Sequence, residues 1–286
     1  MPIHDALPTI AKRVRRNALA SIYYAKSGHP GGCLSVTDIL VYLYGKHVDP
    51  ALLRTGDPDR DRIVLSKGHA CPALYAMAAE IGLLPFPSLL TLRQLGSSLQ
   101  GHPSVRDIPW AETSTGSLGQ GFSAAIGMAL GLRYKDSPAR VYVILGDGEL
   151  QEGEIWEGAM CAGHYKLDNF CAIVDYNKMQ SDDLTENIMG LEPLEAKWQA
   201  FNWHTLTIEG HDFVQIESAI KEACSCQGKP VVIIAHTIKG RGISFMEESP
   251  LWHGSLTLKA EEFTLALRDL DTPEDEIERY LNGTAW

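Results

Sequence analysis

The sequence predicts an α/β fold, a doubly wound, mostly parallel sheet with helices on both faces. Three features point to it: short unbroken apolar runs at 141–145, 170–175 and 231–237, helical patterns between them, and turn residues at the junctions. Runs of Val, Ile and Leu without alternation mark strands covered on both faces, the usual condition of a parallel sheet. Strand and helix alternate regularly from 118 to 237, which is the rhythm of a doubly wound domain. No linker, internal repeat or low-complexity stretch divides the chain, so 1–286 reads as one domain with a full core.

Taken in order, an amphipathic pattern from Thr9 to Lys26 predicts a first helix that stops at Gly28. A second runs from Ser35, a plausible N-cap, to Lys46. After the turn-rich TGDPDRD segment come a short strand, Arg62–Leu65, and a helix from Pro72 to Glu80. Gly, Pro, Ser and Thr throughout Gly96–Gly116 predict a loop. A small-residue helix over Leu118–Tyr134 leads to the strand VYVIL at 141–145, a helix over 155–166 and the strand FCAIVD at 170–175. The strand WHTLTIE at 203–209, the helix Phe213–Cys226 and the strand VVIIAHT at 231–237 complete the alternation. The tail from Leu256 to Trp286 predicts two short acidic helices. Trp156 and the methionines read as core.

Charge and cysteines narrow the class. With 25 Lys+Arg against 36 Asp+Glu the formal charge is −11, which disfavours nucleic acid and anionic membranes as partners. No apolar run is long enough to span a bilayer, and the start MPIHDALPTIAKRVRR has no apolar stretch after its positive charges. The six cysteines lack metal-ligand spacing, and the close pair Cys224 and Cys226 is C-x-C, which suits neither zinc nor a redox motif. Reduced thiols in a cytoplasmic protein are the expectation.

Ligands of an open parallel sheet bind beyond the carboxyl ends of its strands. Two such ends are polar: Gly146-Asp147-Gly148 after VYVIL, and Tyr176-Asn177-Lys178-Met179 after FCAIVD. Asp147 and Asn177 sit on neighbouring units and could converge on one hard cation. Such a cation prefers oxygen ligands and, as Mg²⁺, keeps positions for phosphate oxygens. A helix expected to begin just past Gly148 would add backbone N–H groups for a phosphate. G-D-G after a strand is also a common turn, so the Asn is what sharpens the reading. Three histidines lie in Gly- or Pro-flanked loops: His29 in SGHPGG, His69 in SKGHA and His102 in GHP. Imidazoles in such loops can donate to sugar hydroxyls and phosphate and can move protons near neutral pH.

G-D-G followed by this Asn resembles the cofactor motif of thiamine-diphosphate enzymes, with Tyr176 where the family pattern has Asn or Asp. The loops around His29, His69 and His102 resemble those of transketolases, as do TGSLGQG at 115–121, LQEG at 150–153, TIKGRG at 237–242 and WHG at 252–254. The resemblance covers nearly the whole chain. It implies a diphosphate-binding (PP-type) domain in which Asp147, Asn177 and the Met179 carbonyl bind Mg²⁺, with Ca²⁺ or Mn²⁺ as substitutes. It implies that His69, Gly148 and Lys239 contact the diphosphate of thiamine diphosphate and that Gly116 and Leu118 line its aminopyrimidine. His29, His69, His102 and His253 would surround the sugar hydroxyls and assist proton transfer, with Lys67 in support.

The same resemblance implies a missing half. In transketolases the Glu that activates the cofactor and the arginines that grip sugar phosphates belong to a pyrimidine-binding domain, followed by a C-terminal domain. The expectation is therefore a split enzyme, an A₂B₂ assembly with a partner chain, moving a two-carbon ketol unit from a ketose phosphate to an aldose phosphate. Glu152 and Glu157 match family carboxylates that face the partner and hydrogen-bond toward the activating Glu. Rival readings are the α chain of a 2-oxo acid dehydrogenase, which lacks the histidine segments, and a synthase joining pyruvate to a triose phosphate. Two more are a transketolase for a branched or sulfonated ketose and a catalytically silent regulatory chain.

Overall fold

The computed structural model describes residues 6–181, 183–254 and 257–286, so Leu256 and the opening MPIHD lie outside the described residues. The chain begins with α1 (Leu7–Ala25), ended by Lys26 in the left-handed region, and α2 (Pro30–Tyr42), which runs on into a π-turn over Leu43–His47. Then follow α3 (Pro50–Thr55), β1 (Arg62–Leu65), α4 (Cys71–Glu80), α5 (Gln120–Tyr134), β2 (Val141–Gly146) and α6 (Gly153–His164). The second half holds β3 (Phe170–Tyr176), a small hairpin of β4 (Met179–Gln180) and β5 (Asp183–Leu184), α7 (Thr185–Met189), α8 (Leu194–Ala200), β6 (His204–Glu209), α9 (Phe213–Ser225) and β7 (Val231–His236). The tail forms α10 (Ala260–Asp269) and α11 (Glu274–Leu281).

The five long strands make one sheet in the order β1-β2-β3-β7-β6, every pair parallel. Because side chains alternate across a strand, each strand feeds two cores. On one face Ile144, Ile173 and Ile233 meet α1, α2, α4, α9 and the tail helices. On the other, Val143, Val174 and Ile234 meet α5, α6 and α8. The doubly wound prediction holds, with helices on both sides. The chain leaves β3 toward one face and β7 toward the other, which opens a crevice at their carboxyl ends. There Gly146, Asp175 and Ala235 lie level in neighbouring strands.

Several boundaries depart from the sequence reading. Ser35 is not an N-cap: α2 starts at Pro30, where a fixed φ suits the first helical position, and Ser35 is fully buried inside the helix. The helix assigned to Leu118–Tyr134 starts at Gln120, because Gly119 takes φ 88 and Leu118 belongs to the turn before it. The residues after Gly148 form a 3₁₀ turn, Gly148–Gln151, before α6 begins. Trp156 is half-buried against Trp198, and Met160 and Met189 are exposed rather than core.

Gly163 shows how tightly α6 is seated. A Cβ there would stand 1.9 Å from the carbonyl oxygen of Phe201, which is backbone and cannot swing away. Gly163→Ala is expected to destabilise the chain by about 2–3 kcal/mol in urea unfolding, as overpacking outweighs the ~1 kcal/mol gain in helix propensity. An unchanged midpoint would show that the two segments are not in contact.

Candidate active site

The G-D-G turn closes β2 and buries Asp147. One carboxylate oxygen, Oδ1, accepts from the Gly148 N–H at 2.7 Å; the other, Oδ2, is buried with no hydrogen-bond partner. Burial first, and the neighbouring Asp175 charge second, push this carboxyl up to about 6. An orphaned carboxylate oxygen is costly unless a cation meets it. Across the crevice Asn177 is oriented by two bonds: its Oδ1 accepts from Met179 N at 3.1 Å and its Nδ2 donates to Ser35 Oγ at 3.4 Å. Lys178 between them takes φ 65, a left-handed step that turns the chain into β4. Asp147, Asn177 and Met179 line one cavity, and Asp147 Oδ2, Asn177 Oδ1 and the Met179 carbonyl could offer hard-oxygen ligands to a divalent ion. Among the described residues no group of three or more His, Cys, Asp or Glu is placed to hold a metal, so a cation bound here would have a single carboxylate and would need further oxygens, of phosphate or water, to complete its shell.

A buried network beneath this set is the part that sequence reasoning missed. Asp175, fully buried, accepts from Lys67 Nζ at 2.5 Å, from Ser35 Oγ at 2.6 Å and from Thr237 Oγ1. One carboxylate therefore ties β3 to α2, to the loop after β1 and to the loop after β7. Glu149 does the same for the G-D-G turn, accepting from Ser66 Oγ at 2.5 Å and from the N–H groups of Gly119 (2.9 Å) and Gly146 (3.0 Å). The available signal was a charged residue closing an apolar run, since Asp is seldom buried without a partner. The loop after β7 is held from behind as well: Ile238 N–H donates to His211 Nε2 at 2.8 Å, and His211 Nδ1 bonds Asp38 at 2.6 Å. Asp38 is in turn paired with the buried Arg15 at 2.5 Å, which lowers its carboxyl despite burial.

The histidines lie in the same cleft. The ring centroids of His29, His69 and His253 are 5.1, 5.6 and 5.7 Å apart, and the ring of His102 lies 3.4 Å from where a side chain on Gly116 would begin. Burial is the largest cause that depresses all four. His29 falls to about 4 with Arg93 and nearby cations contributing, His253 falls to about 3 with Lys239 contributing, and His69 and His102 are also lowered. At neutral pH these rings are uncharged, able both to donate to a hydroxyl and to accept a proton. Lys239 Nζ donates to His253 Nδ1 at 2.8 Å, and an ammonium has no lone pair, so His253 carries its proton on Nε2.

Asp147, Asn177, Met179, Gly148, Lys239, Gly116, Leu118 and the four histidines all line one cavity of about 270 Å³, with Lys67 on its wall. Gly148 is needed there, because a Cβ would stand 2.8 Å from the Cβ of Gln180, which closes over the turn. Glu152 and Glu157 are the exception. Both are exposed, Glu152 just before α6 and Glu157 in its first half, and neither lines the cavity. The cavity has two chemical ends, an oxygen set with buried lysines suited to a cation and a diphosphate, and a ring of neutral imidazoles suited to hydroxyls.

Comparison with known proteins shows the family. The family model described as "Transketolase, thiamine diphosphate binding domain" matches residues 8–275. The chain is 46% identical over 263 residues to the 6-deoxy-6-sulfo-D-fructose transketolase subunit SqwG of Clostridium sp. (strain MSTE9), covering 91% of this chain and 94% of that protein. It is 36% identical over 279 residues to one of the subunits of the apulose-4-phosphate transketolase of Phocaeicola vulgatus, covering 98% of this chain and 99% of that one. Among solved structures, transketolase from Leishmania mexicana superposes with a TM-score of 0.84 at 27% identity, covering 98% of this chain but only 44% of that one.

Proposed function

The chain belongs to the transketolase family through its thiamine-diphosphate-binding domain, and from that premise we propose that it is the diphosphate-binding subunit of a two-chain transketolase. In this reading it moves a two-carbon ketol unit from a ketose phosphate to an aldose phosphate with Mg²⁺ and a partner chain. The observation that carries it is the orphaned Asp147 Oδ2 facing the Asn177–Met179 turn, in one cavity with four neutral histidines. Support for a partner comes from the two relatives of this chain's own length, each named as a subunit and each spanned almost end to end. The activating Glu and the phosphate-gripping arginines would come from that partner, and two such pairs would make an A₂B₂ assembly with symmetry-related sites.

The chemistry that thiamine diphosphate supplies when bound is carbanion chemistry at its thiazolium ring. The chain's own residues do the rest. Asp147, Asn177 and the Met179 carbonyl would hold Mg²⁺, with Gly148, Lys239 and His69 at the diphosphate and Gly116 and Leu118 along the aminopyrimidine. His29, His102 and His253 hold their protons on neutral rings and donate to substrate hydroxyls. Glu152 and Glu157, exposed on α6, would meet the partner and lead toward its activating Glu.

The test is to mix the chain with its partner, Mg²⁺ and thiamine diphosphate and to follow sedoheptulose 7-phosphate from xylulose 5-phosphate and ribose 5-phosphate. Product only with both chains present is the expected result; product from the isolated chain, or none from any ketose despite assembly, overturns the proposal. A second reading, a transketolase for a sulfonated or branched ketose, is favoured by the names of both relatives of this length. It is supported if the assembled enzyme turns over such a ketose at least about tenfold more efficiently than xylulose 5-phosphate, a difference of ~1.4 kcal/mol in transition-state binding.

A further inference from the structure

Arg93 sits behind the histidine cluster, on the loop that runs from α4 to α5, and neither the sequence motifs nor the comparisons assign it a role. Its backbone takes φ 58, unusual for a residue with a side chain, and its N–H donates to Leu99 O at 2.8 Å. That step sends the guanidinium inward, where Nη1 donates to Ser27 Oγ at 2.8 Å and Nη2 lies 3.4 Å from His29 Nδ1. Gly101 makes the room, since a Cβ there would stand 2.8 Å from Arg93 Nε. The Gly of the G-H-P segment thus serves the arginine as much as it serves His102.

We propose that Arg93 is a positioning residue that fixes His29 as its Nε2–H tautomer, so that the ring presents a hydrogen-bond donor to the cleft. A guanidinium has five donors and no acceptor, so contact with Nδ1 requires that nitrogen's lone pair and places the ring's proton on Nε2. The other nitrogen is kept open by Gly254, because a Cβ there would stand 2.5 Å from His29 Nε2. Lys239 imposes the same tautomer on His253 through Nδ1. Two rings 5.7 Å apart thus both offer N–H donors, the arrangement suited to two neighbouring hydroxyl or carbonyl oxygens of one substrate. The charges around His29, namely Arg93, Lys239 and Lys67 with His102 beside them, also disfavour a second proton on the ring.

The proposal rests on the transketolase reading only for what the ring meets, a ketose oxygen. Its first test is therefore spectroscopic and uses the full chain alone. Long-range nitrogen–proton correlation at neutral pH is expected to show His29 protonated on Nε2 and bare on Nδ1. Arg93→Met should give a tautomer mixture and a ring that titrates above its present value of about 4, and Arg93→Lys should restore the parent pattern in large part. A parent ring protonated on Nδ1 overturns the proposal, as does a folded Arg93→Met chain with an unchanged spectrum. Should Arg93→Met fail to fold, Gly101→Ala crowds the guanidinium away from His29, and an unchanged tautomer there overturns it equally. In the assembled enzyme Arg93→Met should raise the ketose KM by about three- to tenfold, the worth of one hydrogen bond, at unchanged affinity for thiamine diphosphate. An unchanged KM, or a loss confined to cofactor affinity, overturns the role in substrate binding. An assembly inactive on every ketose counts against the transketolase reading and leaves the tautomer result standing.

Discussion

Asp147→Asn is expected to abolish magnesium-dependent binding of thiamine diphosphate while raising the melting temperature of the metal-free chain. The two effects share one cause. Asp147 Oδ2 is buried without a partner, and burial with the Asp175 charge lifts the carboxyl from 3.8 to about 6. Keeping it ionised at neutral pH costs ~3 kcal/mol. Because the folded-state pKa is raised, that penalty is fully present above pH ~6 and is relieved as pH falls toward 4. An amide keeps the acceptor for Gly148 N–H but carries no charge, so the apo chain gains and the cation loses its one carboxylate. Loss of affinity should exceed the 10- to 100-fold typical of groups that merely orient a ligand. Calorimetric titration of the assembled enzyme with Mg²⁺ and thiamine diphosphate, beside thermal melts of the apo chain, reads both. A variant that binds as tightly as the parent would sink the assignment of Asp147 to the metal.

Asp175→Ala is expected to be the most destabilising single change in the site, by about 3–5 kcal/mol, because it leaves the Lys67 ammonium buried without its carboxylate. Lys67 is 2% exposed and Asp175 fully buried, so solvent does not screen the pair. Lys67→Met should cost less, since Asp175 keeps the hydroxyls of Ser35 and Thr237. The double variant Lys67→Met with Asp175→Ala should cost much less than the sum of the two single losses, because it leaves no unpaired charge. Urea unfolding of the four chains measures this cycle. Independent, additive losses would mean that the two groups do not interact. A consequence for binding follows through Ser35, whose hydroxyl meets both Asp175 and the Asn177 amide. Asp175→Asn should therefore weaken cofactor binding even where the fold survives.

Much of this protein is local enough to be legible in one dimension. The runs VYVIL, FCAIVD and VVIIAHT are apolar without alternation because both faces of their strands are covered, and they form the centre of a parallel sheet. Asp147 and Asn177 could be paired from the sequence because each lies two residues past such a run, just beyond the carboxyl ends of adjacent strands. The loop histidines were visible because Gly and Pro mark the backbone around them. Less legible were α7 and α8, which are too short for a periodic signal.

Ser35 marks where that legibility stops. A serine ahead of an apolar stretch reads as a helix cap, yet here it is an internal residue whose hydroxyl serves Asp175, far away in the chain. Arg93, Glu149 and His211 are similar: composition says that each needs a partner, but not which one. By itself the sequence determined the α/β architecture and pointed to Asp147, Asn177 and the loop histidines that line one cavity, because periodicity and turn chemistry act between near neighbours. Only the tertiary structure decided which buried charges pair, which cation faces each ring nitrogen, and that Glu152 and Glu157 stand outside the cavity. Those outcomes depend on groups brought together by packing, and a buried polar atom is satisfied by whatever lies within about 3 Å in space, at any distance along the chain.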